Sequence, residues 1–201
     1  DCAMRQLPVY HAASVYEAAT GRVSLTHFSE IHLSNAEPPP LFGPLKRLMD
    51  IGLCLLILPV ALPLMILSAL AIRLDSKGPA LFWQPRVGQG GRVFRMVKFR
   101  TMRHEPQDNT ARFAARVDDR ITRVGRFLRS TRLDELPQLW NILKGDMSLV
   151  GPRPEQVAFV QQFEREIPFY GLRHFVRPGV TGWAQIGSGY ASEVKGTIEK
   201  L

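Results

Sequence analysis

Residues Ile51–Ile72 read IGLCLLILPVALPLMILSALAI, 22 residues without a charge. As a straight helix this run is long enough to cross a hydrocarbon core of roughly 30 Å. Two features fit a straight span poorly. Pro59 and Pro63 stand four apart near its middle. Each lacks the amide that would bond back one turn, and each ring crowds the carbonyl there, so a bend is expected between the two arms. The arm from Asp50 to Leu58 is about 13 Å of helix, roughly half the core. Lys46 and Arg47 precede the run and Arg73 and Lys77 follow it, and cations at both ends favour the cytoplasmic side for both. A re-entrant helix over 46–74, entering and leaving by one face, satisfies both features; the Ser68 hydroxyl is one donor that can shield a freed carbonyl. A kinked spanning helix and a buried core helix are the alternatives, and so long an uncharged run disfavours the second.

Working outward, the 201 residues allow one domain with a core, plus accessory pieces. The net charge of +8 and pI near 10 imply an anionic partner: nucleic acid, lipid headgroups or a phosphorylated substrate. Between Arg73 and Arg153 basic residues outnumber acidic ones about two to one, and most are arginine, whose planar fork suits bidentate phosphate contacts. A solvated basic surface is the plain alternative. Cys2 and Cys54 have neither a disulfide partner nor metal-ligand spacing, which suits a reducing cytoplasmic setting. The apolar run lies some fifty residues in and lacks a small-residue cleavage site, so it does not read as a signal peptide. Residues 1–40 carry little periodicity, end in Glu37-Pro38-Pro39-Pro40, and read as a linker or the remnant of an upstream region. Asp1 in place of Met leads us to expect a processed or truncated chain.

After the apolar run, Ala80–Arg86 and Arg92–Arg100 are strand-like and flank Gly88-Gln89-Gly90-Gly91, a hairpin turn or a phosphate cradle. Alternation along the second strand puts Lys98 and Arg100 on one face. Asp119 suits the N-cap of a basic helix, in which Arg120, Arg123, Arg126, Arg129 and Arg132 form a cationic stripe opposite Ile121, Val124, Phe127 and Leu128. That pattern fits an amphipathic helix in the headgroup layer, or an ordinary surface helix. A second short helix is predicted from Asp134 to Leu143, with Pro137 in its first turn and Gly145 as its C-terminal cap. SLVGPRPE and RPGVTGWAQIGSG read as ordered loops or short extended segments.

The focal string is Arg132-Leu133-Asp134-Glu135-Leu136-Pro137-Gln138, two adjacent acids opening a helix beside a run of arginines. The helix dipole and the guanidinium groups are expected to keep a carboxylate there ionised, as a nucleophile or metal ligand. A phosphate at the same helix start would meet free N–H groups. The bland reading is a cap: Asp134 as N-cap or capping-box partner of Thr131, with Glu135 complementing the dipole.

In combination, KRLMDIGLCLLILPVALPLM, KFRTM, DDRITRVGRFLRSTRLDELPQLWNILKGDMSLVGPRPE and RPGVTGWAQI resemble the bacterial sugar transferase family, the monotopic polyprenyl-phosphate sugar-1-phosphate transferases. The resemblance runs from about Leu45 to Leu201 and implies a catalytic domain over 41–201. It implies transfer of a sugar-1-phosphate from a UDP-sugar to undecaprenyl phosphate, a polyprenyl phosphate, through a covalent enzyme intermediate. Carried over, Asp134 is the nucleophile and Glu135 holds Mg²⁺, with Asp134 as a second metal ligand. Lys98, Arg100, Arg132, Arg177 and the Pro152-Arg153-Pro154 motif are the substrate-binding candidates. The implied setting is the inner (plasma) membrane of a bacterium, with anionic lipids around the domain and the catalytic face in the cytoplasm. The implied role is the first membrane step of polysaccharide or glycoconjugate synthesis. Larger members carry further membrane helices and a soluble domain upstream, and many continue beyond the residue matching Leu201, so truncation at the C-terminus is expected.

The expected fold class is therefore α+β: a mostly helical membrane-associated domain with a re-entrant membrane helix, interfacial amphipathic helices and a small β-hairpin. A non-catalytic, membrane-anchored basic protein binding anionic lipid or nucleic acid is the alternative. Nucleic acid is the weaker form of it, because no helix-turn-helix, zinc-finger or RNA-binding signature is present. Many-helix phosphosugar transferases, zinc hydrolases and Ser-His-Asp enzymes find no match. A homo-oligomer is compatible with the sequence, which does not name the sugar.

Overall fold

The computed structural model describes residues 40–103 and 119–187; nearly all of residues 1–40, expected as a linker, and residues 104–118 and 188–201 lie outside them. The apolar run belongs to one long helix, α1, Phe42–Asp75, unbroken through Pro59 and Pro63. One stripe of α1 is buried: Asp50, Cys54, Ala61, Ser68 and Ile72, at steps of four and seven residues that keep them on one side of a helix. The other side exposes Leu48, Leu53, Leu56, Val60, Leu64, Leu67 and Leu74.

Both ends of α1 are fastened to the same globular part. At the start, Lys46 donates to Asp50 (2.6 Å) and to Ser148, and the Leu149 amide donates to Asp50 (3.2 Å). Arg47 donates to the carbonyls of Ile142 and Leu143, where a cation meets the negative end of a short helix. At the far end, Arg100 donates to the Ser76 and Lys77 carbonyls (2.8 and 2.9 Å), and the Val124 amide donates to Asp75 (3.2 Å).

The hairpin forms as predicted. Strands β1, Leu81–Val87, and β2, Val93–Phe99, pair antiparallel, joined by a turn in which Gly90 and Gly91 hold positive φ of 66° and 74°, a conformation that favours glycine. Each of three apolar clusters takes a residue from this ribbon or its end: Met96 packs with Cys54, Ala61, Leu139, Ile142 and Met147; Val87 with Phe159, Phe163 and Tyr170; Phe99 with Ile72, Ala80 and Leu128.

The next helix, α2, spans Arg123–Thr131 and starts later than expected. Thr122, not Asp119, is its N-cap, accepting from the Gly125 amide at 2.9 Å, because Ile121 is tied to Met102 in an isolated bridge. The stripe is also less clean than predicted. Leu128 is buried, Phe127 is exposed, and Arg129 turns inward to Thr101 Oγ1 (2.8 Å).

The second predicted helix divides into a 3₁₀ segment, Leu133–Gln138, followed by α3, Leu139–Lys144. Pro137 lies inside the 3₁₀ segment, and Gly145 caps α3 at φ 101°. The Pro/Gly-rich loops contain strands that their composition concealed: β3, Ser148–Val150, pairs parallel with β4, Gly179–Thr181. Gly151 and Gly179 allow this approach; a Cβ on Gly179 would stand 2.1 Å from the Gly151 nitrogen. Helix α4, Val157–Glu166, a 3₁₀ segment, Tyr170–Phe175, and α5, Trp183–Gly187, complete the described elements. The architecture is mixed, one long apolar helix and short helices around two small two-stranded sheets.

Asn141, almost fully buried, joins α3 to the free edge of β2. Its Oδ1 accepts from the Val97 amide (3.0 Å), and its Nδ2 donates to the Arg95 carbonyl (2.9 Å). Asn141→Leu keeps the volume but strips both partners, at a cost of roughly 1–3 kcal/mol for each buried group left unsatisfied. A clear fall in the thermal midpoint of the purified chain is expected; an unchanged midpoint would refute this role.

Candidate active site

Asp134 and Glu135 lie in the 3₁₀ segment, entered through Arg132 in the left-handed region at φ 61°. The capping reading fails here. Thr131 Oγ1 donates back to the Phe127 and Leu128 carbonyls (2.9 and 3.2 Å), and no side chain caps the segment. Asp134 Oδ1 is buried without a hydrogen-bond partner. Glu135 Oε1 instead faces two guanidinium groups, Arg132 at 3.3 Å and Arg153 at 3.5 Å.

The expected electrostatic balance at Asp134 is reversed. Burial comes first and the neighbouring Glu135 charge second; together they push the Asp134 carboxyl above its usual range, while Lys98 and Arg129 pull the other way. A 3₁₀ turn that packs against β2 desolvates its carboxylate, and the arginine run does not fully offset this.

Lys98 is brought to the acid pair by the strand that Asn141 holds. Burial first, then Arg86, Arg129 and Arg153, lower its pKa to about 8, with Asp134 opposing. Its ammonium also lies 5.5 Å from the centre of the Phe82 ring. Arg153 donates to Gln185 Oε1 (3.3 Å) as well as reaching Glu135. The flanking prolines serve through their backbone: Pro152 C=O accepts from the Gly179 amide (2.9 Å), and Pro154 C=O accepts from Arg86 (3.0 Å).

Thus Asp134, Glu135, Lys98, Arg132 and Arg153 come together. Arg100, expected as a phosphate clamp, lies with its buried guanidinium bonded to Ser76 and Lys77 at the end of α1. Arg177 is half-buried, between the 3₁₀ segment Tyr170–Phe175 and β4 in the chain. The structure adds Arg86, Arg173 and Gln185 to this neighbourhood, and it turns Arg129 from the expected cationic stripe toward the acids. The others sit far away in sequence with no local signal.

Among the described residues no third His, Cys, Asp or Glu joins the acid pair. Two adjacent carboxylates, one with a buried oxygen lacking a partner, nevertheless suit Mg²⁺, which binds through one or two carboxylates and completes its shell with substrate phosphates and water.

A family model described as bacterial sugar transferase matches residues 42–200, and the chain belongs to that family. It is 50% identical over 200 residues to a UDP-N-acetylgalactosamine-undecaprenyl-phosphate N-acetylgalactosaminephosphotransferase of Aeromonas hydrophila, covering 100% of this chain and 47% of that protein. It is 50% identical over 141 residues to a UDP-glucose:undecaprenyl-phosphate glucose-1-phosphate transferase of Caulobacter vibrioides, covering 70% and 53%. An Escherichia coli protein with the same description is 48% identical over 157 residues, covering 78% and 33%. The chain spans about half the length of the first two of these relatives and a third of the last.

The Lys98 ammonium is the titrating cation of the cluster. Because its pKa is depressed to about 8, its charge is present below that pH and is lost as pH rises through it. Binding of a diphosphate-bearing ligand should therefore weaken above pH 8, and Lys98→Arg should remove that limb. A limb that survives the substitution would assign it to another group. Titration of UDP binding from pH 6 to 10 measures both.

Proposed function

We propose that the chain transfers a sugar-1-phosphate from a UDP-sugar to undecaprenyl phosphate at the cytoplasmic face of a bacterial plasma membrane. The observation that carries this reading is the buried, unpartnered Asp134 oxygen close to Lys98 and Arg129. A module that only held anionic lipid would need the cations but not a buried carboxylate among them. The names of the relatives supply the substrate classes.

In the first step an Asp134 carboxylate oxygen attacks the phosphorus bearing the sugar. A P–O bond forms, the bond to the UMP oxygen breaks, and UMP leaves. In the second step an oxygen of the polyprenyl phosphate attacks the same phosphorus and the aspartyl bond breaks. The products are polyprenyl-diphosphate-sugar and regenerated Asp134. Two displacements let a soluble donor and a lipid acceptor use one site in turn. Lys98 and Arg153 face the transferred phosphate's oxygens and hold its charge, while Arg132 and Arg153 keep Glu135 oriented. Asp134 and Glu135 would hold Mg²⁺, which when bound offsets diphosphate charge.

A re-entrant placement of α1 completes the reading. Its two ends are bonded to one folded unit, through Ser148 and Leu149 at one end and Val124 and Arg100 at the other. Ends held on one folded unit favour a helix that enters and leaves by one face. Its exposed leucine face supports immersion in lipid. The lipid acceptor would then reach the site from the same membrane.

UMP release from UDP-glucose and UDP-N-acetylgalactosamine, with Mg²⁺ and undecaprenyl phosphate, is the primary assay. Asp134→Asn should reduce release by at least about three orders of magnitude while leaving membrane association intact; comparable turnover in the variant would remove Asp134 from the chemistry. EDTA should abolish release, and activity that survives it would count against a metal at Glu135. For topology, cysteines at Leu41 and Lys77 should both react with a membrane-impermeant thiol reagent added from the cytoplasmic side. Labelling from opposite sides would sink the re-entrant placement.

A further inference from the structure

Three successive carbonyls carry the Arg153 side chain, and three separate elements hold them. Pro152 C=O accepts from the Gly179 amide of β4 at 2.9 Å. Arg153 C=O accepts from Arg173 Nη2 at 2.9 Å. Pro154 C=O accepts from Arg86 Nη1 at 3.0 Å. The prolines fix φ at 152 and 154 and bias the residue before each toward extended backbone. The segment's freedom therefore lies chiefly in its carbonyl orientations, and the middle one is set by Arg173.

Arg173 is itself held. Its Nη1 donates to the Tyr170 hydroxyl at 2.7 Å, and its guanidinium carbon lies 4.8 Å from the centre of the Tyr170 ring. Tyr170 is fully buried among Phe163, Ile167 and Val87, and burial keeps its hydroxyl neutral, with a pKa pushed up to about 12. A rigid aromatic thus fixes a planar fork, one arm of which bonds the peptide bearing Arg153. Among the described residues Arg173 bonds Tyr170 and the Arg153 carbonyl, so its route to the acid pair runs through Arg153.

We propose that Arg173, anchored on Tyr170, is a positioning residue that acts on substrate through Arg153. The proposal rests on the transferase reading for its substrate, and it predicts coupling rather than mere loss. Displacing a substrate-clamping group by about an ångström can lower rates by about a hundredfold. Arg173→Ala should accordingly lower kcat/KM for the UDP-sugar by about 10- to 100-fold. In an Arg153→Ala background the same change should cost less than about threefold, because the group it positions is gone. Arg173→Lys should recover only part of the loss, since an ammonium cannot bond Arg153 and lie flat on Tyr170 as a fork does. Tyr170→Phe should give a smaller loss of the same kind.

The test is the double-mutant cycle on the full chain in detergent or lipid discs, with kcat and KM measured separately and the thermal midpoint of each variant recorded. Equal fold losses from Arg173→Ala in both backgrounds, or no loss in either, would overturn the proposal. So would activity losses across the five variants that merely track their thermal midpoints. The same cycle run on UDP binding keeps the two readings apart. A chain that binds UDP with the predicted coupling but releases no UMP overturns the transferase reading and leaves the positioning role standing; UDP binding indifferent to both arginines overturns the positioning role.

Discussion

The amide of Asn141 bonds the edge of β2 as a third strand would, accepting from one residue and donating to another two positions away. Two-stranded ribbons are marginal alone, and among the described residues β2 has no further strand beside it. The paired amide fixes α3 against the ribbon and hence fixes the 3₁₀ segment that leads directly into α3. Lys98, one residue beyond Val97 on β2, and Asp134, seven residues before Asn141, meet because these two bonds set the register between their elements. The three apolar clusters then close around the same ribbon.

Arginine is used in two ways that the sequence does not distinguish. Arg47, Arg86 and Arg100 bond backbone carbonyls that would otherwise lack partners, at the end of α3, in the Pro152–Pro154 segment and at the end of α1. Arg129, Arg132 and Arg153 face the acid pair. The first group is structural but indispensable, because unsatisfied buried carbonyls are costly. The second group does not neutralise Asp134 completely: burial and the like charge of Glu135 prevail. The arrangement sets cations around a carboxylate whose proton affinity is raised.

Helix α1 belongs to both solvents. Its buried stripe completes two of the three clusters through Cys54, Ala61 and Ile72, while leucines cover the opposite side. At its ends Lys46, Arg47 and Asp75 are bonded into the domain, while Arg73 and Lys77 are exposed. The apolar helix and the residues of the candidate site are consequently one packing unit.

Local chemistry determined much of this. An uncharged run of this length forms a helix with an exposed apolar face, glycines with positive φ turn the hairpin, Gly145 ends α3, and adjacent acids beside arginines mark the candidate site. Each depends on residues within a few positions of one another, which a sequence displays directly. The start of α2, the parallel pair of β3 and β4, the assignment of Arg100 to a helix end, and the convergence of Arg86, Arg173 and Gln185 on Arg153 were decided only by the tertiary structure. They join residues from about twenty to nearly seventy positions apart. Whether a given guanidinium meets a carbonyl, a carboxylate or a phosphate depends on which buried acceptor packing brings within 3 Å, and no local pattern records that.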